Sequence, residues 1–260
     1  MRTKMWYNFT NLRREGADLS VKNLTKIPPP PGKEPVMRYQ AVVPGRFLAR
    51  PNRFIAQVEA EGAVQTVHVK NTGRCRELLI PGAAVYLEKN ADPRRKTAYD
   101  LVAVQKGELL VNMDAQAPNR VFAEWLIPQL PTGAVLHREY RYGESRLDFC
   151  VESPRGRCLI EVKGVTLEEG GAARFPDAPT ERGVKHLREL QRAAEAGLGA
   201  ALFFVVQMEG MESVAPNDET HPAFGAALRE AAAHGVRSCA WDCAVTPESL
   251  EIRREVPVLL

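Results

Sequence analysis

Two carboxylates and a lysine lie in neighbouring segments of the stretch SRLDFCVESPRGRCLIEVKGV, residues 145–165. Both segments alternate polar and apolar residues, which predicts two β-strands, and the SPRG sequence between them predicts a turn. A hairpin centred on that turn places Asp148 opposite Glu161, and the two-residue period of a strand places Lys163 on the same face as Glu161. Carboxylates this close repel each other unless a positive charge lies between them. The pattern therefore predicts a cation-binding face whose oxygen ligands favour Mg²⁺ or Mn²⁺.

The other face of this hairpin is predicted to be apolar. Its members are Leu147, Phe149, Val151, Cys158, Ile160 and Val162. Because a slip of one residue would expose this apolar face, the register of the hairpin is well determined. This register places Asp148 directly opposite Glu161. A solvated face carrying a cross-strand ion pair is the alternative interpretation, because such faces are common on hairpins.

The composition is that of a globular chain. Of 260 residues, 45% are hydrophobic and 26% are charged, which suits one large domain or two modest ones. We expect no membrane association, because no apolar run approaches the roughly 18 residues that span a bilayer and the N-terminal residues lack the basic-then-apolar pattern of a secretory signal. Five cysteines at irregular spacing argue against a disulfide framework and favour a cytoplasmic location. Cys239 and Cys243 lack a second pair with zinc-site spacing, so we expect them to be buried.

The chain divides into three regions. Residues 1–36 end in a polyproline stretch and are predicted to form a flexible extension, which makes Met37 a candidate start. Residues 37–114 carry short alternating segments that predict an all-β domain, an OB-fold-like barrel. Residues 115–260 predict an α/β domain, a mixed sheet flanked by helices.

The predicted elements follow the hydrophobic periodicity. Strands are predicted in the barrel at 53–60, 64–70, 83–89, 98–105 and 108–113, and in the second domain at 135–141, 146–152, 157–163, 200–207, 236–245 and 249–253. Helices are predicted within 116–130 and at 180–196 and 221–235.

The barrel region is basic. From Arg38 to Asp100 the sequence holds eleven Lys and Arg against six Asp and Glu, a net charge of +5. Such a region attracts polyanions, although a solvated basic face is the plainer interpretation.

The motifs of both regions resemble known families. Asp148 followed by EVK (161–163) across a hairpin resembles the PD-(D/E)XK nuclease superfamily. Residues 39–256 are similar to the sugar fermentation stimulation protein A (SfsA) family. The matching stretches are PGRFLARPNRFIAQV, HVKNTGRCRELL, RKTAYDLV, NMDAQAPNRV, YGESRLDF, IEVKGVTL, FPDAPTERGVKHLREL and FFVVQ. The resemblance implies an N-terminal OB-fold, a C-terminal restriction-endonuclease-like domain, and non-specific DNA binding linked to the regulation of sugar use.

Further site residues come from this resemblance. Members of the nuclease superfamily add an acid on the preceding helix, which points to Glu124, and a glutamine after a buried strand, which points to Gln207. The candidate catalytic set is therefore Asp148, Glu161, Lys163, Gln207 and Glu124, with Asp148 and Glu161 as metal ligands. Strand parity makes Glu139 an alternative acid. We expect a surface role for His186.

Candidate nucleic-acid contacts lie in both domains. In the barrel, arginines beside aromatic residues suit phosphate contact and base stacking, and on the helix a basic stripe beside the carboxylates suits contact with phosphates. The candidates are Arg46, Arg53, Asn71, Thr72, Arg74 and Arg76 in the barrel, and Arg182 and Lys185 on the helix predicted at 180–196.

These features predict a DNA-binding, Mg²⁺- or Mn²⁺-dependent nuclease, with RNA as the second candidate substrate. The alternative is a non-catalytic, non-specific DNA-binding regulator that keeps the nuclease fold. A protein-interaction scaffold is a third interpretation, against which the basic barrel argues weakly. The sequence predicts no oligomeric state.

Overall fold

The computed structural model describes residues 37–71, 73–92 and 94–260. The predicted extension, residues 1–36, lies outside the described residues, as does Thr72. The described chain contains a six-stranded sheet, a seven-stranded sheet and a small three-stranded sheet. Within it, no helix combines the length and the apolar character needed to cross a lipid bilayer.

The six-stranded sheet forms a barrel. Its strands are β2 (Val42–Asn52), β3 (Ile55–Ala60), β4 (Ala63–Val69), β5 (Ala84–Lys89), β6 (Tyr99–Lys106) and β7 (Leu109–Asn112). They are ordered β4-β3-β2-β5-β6-β7, and a parallel pairing of β4 with β6 closes five of them. Alternate side chains, including those of Val58, Val67 and Leu87, point inward and are fully buried. The prediction of an OB-fold-like barrel is confirmed.

Strand β2 was not predicted from the sequence, although it is central in the barrel. Pro44 and Pro51 lie within it and cannot donate a ladder hydrogen bond, which argues against a central strand. Pro44 nevertheless pairs with Tyr86 of β5. At the next residue, Gly45, an added Cβ would lie 2.6 Å from Cγ1 of Val58 and 3.1 Å from the carbonyl oxygen of Glu59, so the close approach of β2 to β3 at this point favours glycine.

The seven-stranded sheet forms the second domain. Its strands are β1 (Met37–Arg38), β8 (Val135–Tyr142), β9 (Ser145–Ser153), β10 (Gly156–Val165), β13 (Gly199–Val206), β15 (Arg237–Thr246) and β16 (Ser249–Val256). The order is β1-β16-β15-β13-β10-β9-β8, with β10, β13 and β15 parallel and the other neighbours antiparallel. The predicted mixed sheet is confirmed.

Helices cover both faces of this sheet. They are α1 (Ala117–Leu126), α2 (Glu181–Glu195) and α3 (Pro222–Ala233), and a short 3₁₀ helix (Ile127–Gln129) follows α1. On one face the ring of Phe122 in α1 lies 4.6 Å from that of Phe203 and 5.1 Å from that of Phe149. On the other face, Leu187 of α2 and Phe224 of α3 belong to one buried apolar cluster. Burying each such side chain contributes about 1.5–3 kcal/mol.

Two features differ from the sequence expectation. Residues 37–38 were assigned to the barrel region, but as β1 they pair with β16 at the edge of the second sheet. The small sheet of β11 (Leu167–Glu169), β12 (Ala172–Phe175) and β14 (Ser213–Pro216) was not predicted. Strands of three or four residues are too short to show a two-residue period.

Candidate metal and nucleic-acid site

The candidate site lies where β9 and β10 separate. The hairpin register predicted from the sequence is confirmed over five pairs, from Gly156 opposite Ser153 to Ile160 opposite Phe149. Beyond that pair, side chains replace the ladder hydrogen bonds. The amide of Val162 donates to Oδ2 of Asp148 at 2.8 Å, and the amide of Asp148 donates to Oε2 of Glu161 at 3.3 Å. The separation of the strands therefore brings the two carboxylates together.

Asp148 is partly buried, and α1 contributes one of its hydrogen-bond donors. Nδ2 of Asn119 donates to Oδ1 of Asp148 at 2.8 Å. Burial raises the pKa of Asp148, and the negative charge of Glu161 raises it further, against the opposing effects of the Val162 amide, Lys163 and Asn119. A cation beside the two carboxylates would relieve this repulsion.

Glu161 is buried but keeps its negative charge. Its side chain is 2% exposed, and its Oε1 accepts hydrogen bonds from Nζ of Lys163, at 2.5 Å, and from Nδ1 of His186. Burial alone would raise the pKa of Glu161, but the hydrogen bond from His186 and the charge of Lys163 outweigh it and hold the pKa below its usual value. Burial therefore does not neutralise this carboxylate.

The expected surface role for His186 is wrong. The residue is 3% exposed and lies between α2 and β10, where it contacts Glu161. Its other ring nitrogen, Nε2, lies 3.3 Å from Nε of Arg182. The sequence does indicate that His186 is buried, because it lies four residues before Leu190 on the apolar stripe of α2.

The two carboxylates suit a hard divalent cation with an incomplete protein shell. Within the described residues, no group of three or more His, Cys, Asp or Glu side chains is arranged to hold a metal ion. At the point where β9 and β10 separate, the described residues bring two carboxylates together, those of Asp148 and Glu161. Mg²⁺ usually binds through one or two carboxylates and retains several waters, which fits this donor set.

The apolar face of the hairpin differs from the prediction at one position. Phe149 and Ile160 pack on the α1 side as expected, but Leu147 belongs to the core on the other side. Glu139 on β8 has a positive φ of 54°. Glu139 and Asp148 are the two residues that do not pair where β8 and β9 are otherwise paired in a regular antiparallel register. This irregularity reverses the facing of Leu147 relative to Phe149.

Gln207 is buried beside β10, but its side-chain amide donates hydrogen bonds to residues at the junction with the barrel. Nε2 donates to Oδ1 of Asn112 at 2.8 Å and to the carbonyl of Asp114 at 3.1 Å. At Gly164, an added Cβ would lie 2.3 Å from Oε1 of Gln207 and 2.6 Å from Cγ of Pro118, so a larger residue would displace the Gln207 side chain or α1.

Two other candidate acids contact residues outside the carboxylate pair. Glu124 accepts a 3.0 Å hydrogen bond from Nε of Arg120, one turn earlier on α1. Glu139 is exposed and pairs with Arg146 at 2.7 Å. Sequence reasoning missed Asn119, which is the α1 side chain that contacts Asp148.

The candidate nucleic-acid residues of the barrel are largely exposed. Arg46 pairs with Glu59 across β2 and β3. The guanidinium of Arg53 stacks over the ring of Phe54, 4.8 Å from its centroid, and Phe54 is 44% exposed. Phe47, in contrast, is a core residue that is 1% exposed.

The loop that follows β4 presents two further cations. Arg74 and Arg76 are exposed, and neither makes an ion pair with any other described residue. Asn71 shapes the loop, because its Oδ1 accepts a 2.8 Å hydrogen bond from the amide of Gly73. On α2, Lys185 donates to the carbonyl of Glu144 at 3.1 Å.

Arg50 was missed by the sequence analysis, yet it organises this loop. Its guanidinium donates to four carbonyl oxygens at 2.7–3.0 Å. The acceptors belong to Arg53, Asn71, Gly73 and Arg74. The guanidinium thereby joins the tip of the β2–β3 hairpin to the loop after β4.

Two protein-family models match this chain, one for each domain. A family model described as "SfsA N-terminal OB domain" matches residues 48–113, and one described as "Sugar fermentation stimulation protein RE domain" matches residues 116–249. The chain is 51% identical over 228 residues to a sugar fermentation stimulation protein homolog of Desulfitobacterium hafniense (strain Y51), covering 86% of this chain and 99% of the relative. A homolog of that description from Clostridium beijerinckii is 48% identical over 226 residues, covering 86% of this chain and all (100%) of the relative.

A solved structure with the same fold is similar to this chain. It is described as the structure of Pyrococcus furiosus SfsA in complex with Ca²⁺. It superimposes with a TM-score of 0.79 at 29% sequence identity, covering 88% of this chain and 100% of that one.

Proposed function

Because the chain belongs to the sugar fermentation stimulation protein (SfsA) family, we propose that it is a DNA-binding nuclease that hydrolyses phosphodiester bonds with a bound divalent metal ion. The observation that carries the proposal is that the carboxylates of Asp148 and Glu161 converge where β9 and β10 separate. Lys163 donates a hydrogen bond to Glu161 at the same place. A binding protein gains little from buried acids that face phosphate. The acids instead suit a cation that joins protein and substrate.

Asp148 and Glu161 would hold Mg²⁺ or Mn²⁺. When bound, such an ion supplies Lewis-acid activation of a phosphoryl oxygen and lowers the pKa of a bound water. Lys163 is placed to stabilise charge that develops on the phosphoryl oxygens, because its ammonium group lies at the carboxylates. Asn119 holds the Asp148 carboxylate from α1.

The relative from Pyrococcus furiosus supports the choice of cation, because its structure is described as a complex with Ca²⁺. Ca²⁺ prefers oxygen ligands, as do Mg²⁺ and Mn²⁺. We therefore expect Mg²⁺ or Mn²⁺ to support cleavage and Ca²⁺ to compete for the same carboxylates.

The test is a cleavage assay of the purified chain with Mn²⁺ or Mg²⁺ on single-stranded, duplex and branched DNA and on RNA. We expect Asp148→Asn, Glu161→Gln and Lys163→Met each to reduce cleavage by at least about 100-fold. Glu139→Gln is the matched control, since it removes an exposed acid that is paired with Arg146 on the neighbouring strand. Cleavage that survives Glu161→Gln, or no cleavage of any substrate, contradicts the nuclease proposal.

A non-catalytic DNA-binding regulator is the second candidate, favoured by the exposed Arg74 and Arg76, which lack ion-pair partners among the described residues. It predicts binding without cleavage and an affinity that falls linearly with salt on logarithmic axes. Arg74→Ala and Arg76→Ala should each reduce that slope by about 1. Arg155→Ala, in the turn at the far end of the β9–β10 hairpin, should leave the slope unchanged.

A further inference from the structure

We propose that His186 and Arg182 are positioning residues for Glu161, fixing the orientation in which its carboxylate receives a divalent cation. This inference rests on the proposed metal site. It gives a role to a buried histidine and an exposed arginine that the cleavage chemistry itself does not use.

The hydrogen-bond directions follow from the donor groups. Nε of Arg182 always carries a proton, so at 3.3 Å from Nε2 of His186 it donates and Nε2 accepts. The proton of the neutral imidazole is then on Nδ1, which donates to Oε1 of Glu161. Arg182 therefore selects the tautomer that can bind the carboxylate.

This contact fixes which oxygen of Glu161 remains available. Oε1 already accepts from His186 and Lys163, whereas Oε2 is directed toward the backbone of Asp148. Rotation of the carboxylate would break both hydrogen bonds that Oε1 accepts. The edge that faces Asp148 is thus held in place before any cation arrives, as outer-shell partners do for metal-binding side chains.

Packing of α2 does not require this polar contact. The helix already buries Val184, Leu187 and Leu190 against the sheet and α3. Donation from Arg182 satisfies the outer nitrogen Nε2, but an apolar side chain would fill the interface without needing any donor. The two successive hydrogen bonds, from Arg182 to His186 and from His186 to Glu161, instead fix the orientation of the carboxylate.

Two substitutions of His186 separate its two nitrogens. In His186→Asn, the amide nitrogen occupies the position of Nδ1 and can still donate to Glu161. In His186→Gln, the amide is displaced toward the position of Nε2, so the donor to Glu161 is lost. We expect His186→Gln to weaken Mn²⁺ binding by about 10- to 100-fold, and His186→Asn to stay within about threefold of the unmodified chain.

Arg182 provides a test at an exposed position, where the fold is not at risk. Removing a positive charge near a cation site should strengthen cation binding by charge alone. We expect Arg182→Ala to weaken Mn²⁺ binding instead, because the tautomer of His186 is no longer fixed. Arg188→Ala is the matched control, since Arg188 is an exposed arginine of the same helix and makes no ion pair with any described residue.

The experiment titrates the DNA-free full chain with Mn²⁺ and follows the electron paramagnetic resonance signal of the free ion, with circular dichroism as the fold control. Weaker binding by His186→Gln and Arg182→Ala, with retention in His186→Asn and Arg188→Ala, supports the inference. Mn²⁺ binding that is lost in Glu161→Gln but unchanged in both His186→Gln and Arg182→Ala overturns the inference alone. An unmodified chain that binds no Mn²⁺ overturns the metal site and the inference together.

Discussion

The side-chain amide of Gln207, at the end of β13, donates a 2.8 Å hydrogen bond to Oδ1 of Asn112, the last residue of β7 in the barrel. The contact continues through Asn112, whose Nδ2 donates to the hydroxyl of Tyr39 at 2.8 Å. Apolar packing accompanies it, because Met113 and Met208 belong to one continuous buried cluster. The two domains are thus joined by a buried interface that includes specific polar contacts.

Gln207→Ala should weaken this junction. The substitution leaves Asn112 and the carbonyl of Asp114 without their buried donor, which costs about 1–3 kcal/mol of unfolding free energy. Chemical denaturation measures the loss. Gln40→Ala, at an exposed glutamine, is the control and should stay within about 0.5 kcal/mol. Equal stability of the two variants would show that the polar contact does not hold the domains together.

The hairpin and the parallel strands were predictable because their signals are local. The SPRG turn and the alternation around it determine the register of β9 and β10, since a slip of one residue would expose the apolar face. The uninterrupted apolar run of β13 indicated a strand buried on both faces. These two features place Glu161 beside the end of β9 without knowledge of the rest of the fold.

The remaining site residues were not predictable, because they act across long sequence separations. Asn119 reaches Asp148 from a helix 29 residues earlier, and His186 reaches Glu161 from one 25 residues later. Arg50 binds loop carbonyls up to 24 residues away. Helical periodicity indicates which face of a helix is buried, but it does not identify the strand residue that the face meets.

Arg50→Ala should destabilise the barrel and release the loop after β4. Four carbonyl oxygens lose charged donors, and we expect a loss of about 2–3 kcal/mol of unfolding free energy with faster amide exchange at Gly73. Arg50→Lys should recover little, because a single ammonium group cannot span acceptors that fit a planar guanidinium. Arg46→Ala is the control, since its ion pair with Glu59 is exposed and worth less than about 1 kcal/mol. Full rescue by lysine would contradict the geometric explanation.

The five cysteines should be unreactive in the folded protein. All are buried, and none forms a disulfide bond. Burial raises the pKa of Cys158 and Cys239 to about 12, and burial with the nearby charge of Asp177 does the same for Cys75. Because the thiolate is the nucleophile, a pKa of 12 leaves roughly one thiol in 10⁴ ionised at pH 8. Ellman's reagent should label the native chain slowly and the guanidinium-unfolded chain rapidly. Rapid stoichiometric labelling of the native chain would mean that these thiols are accessible.

Asp100 should make the stability of the barrel sensitive to acid. Its side chain is 3% exposed and contacts Arg95, His68 and Lys70 at 2.7–3.3 Å. Burial alone would raise the pKa of Asp100, but the hydrogen bonds from Arg95 and the charge of Lys70 outweigh it and lower the pKa below its ordinary value. A lowered folded-state pKa gives stability that is present above the unfolded pKa of about 3.9 and is lost as the pH falls through the folded value.

Asp100→Asn should therefore lower the unfolding free energy at pH 7 by about 2–3 kcal/mol. It should also flatten the decline of stability below about pH 4, because the group that takes up a proton on unfolding is gone. Urea denaturation across this pH range measures both effects. Glu108→Gln, at an exposed acid near the β6–β7 turn, is the matched control and should keep the acid dependence of the unmodified chain. If Asp100→Asn retained the full acid dependence, the decline would have to come from carboxylates elsewhere in the chain.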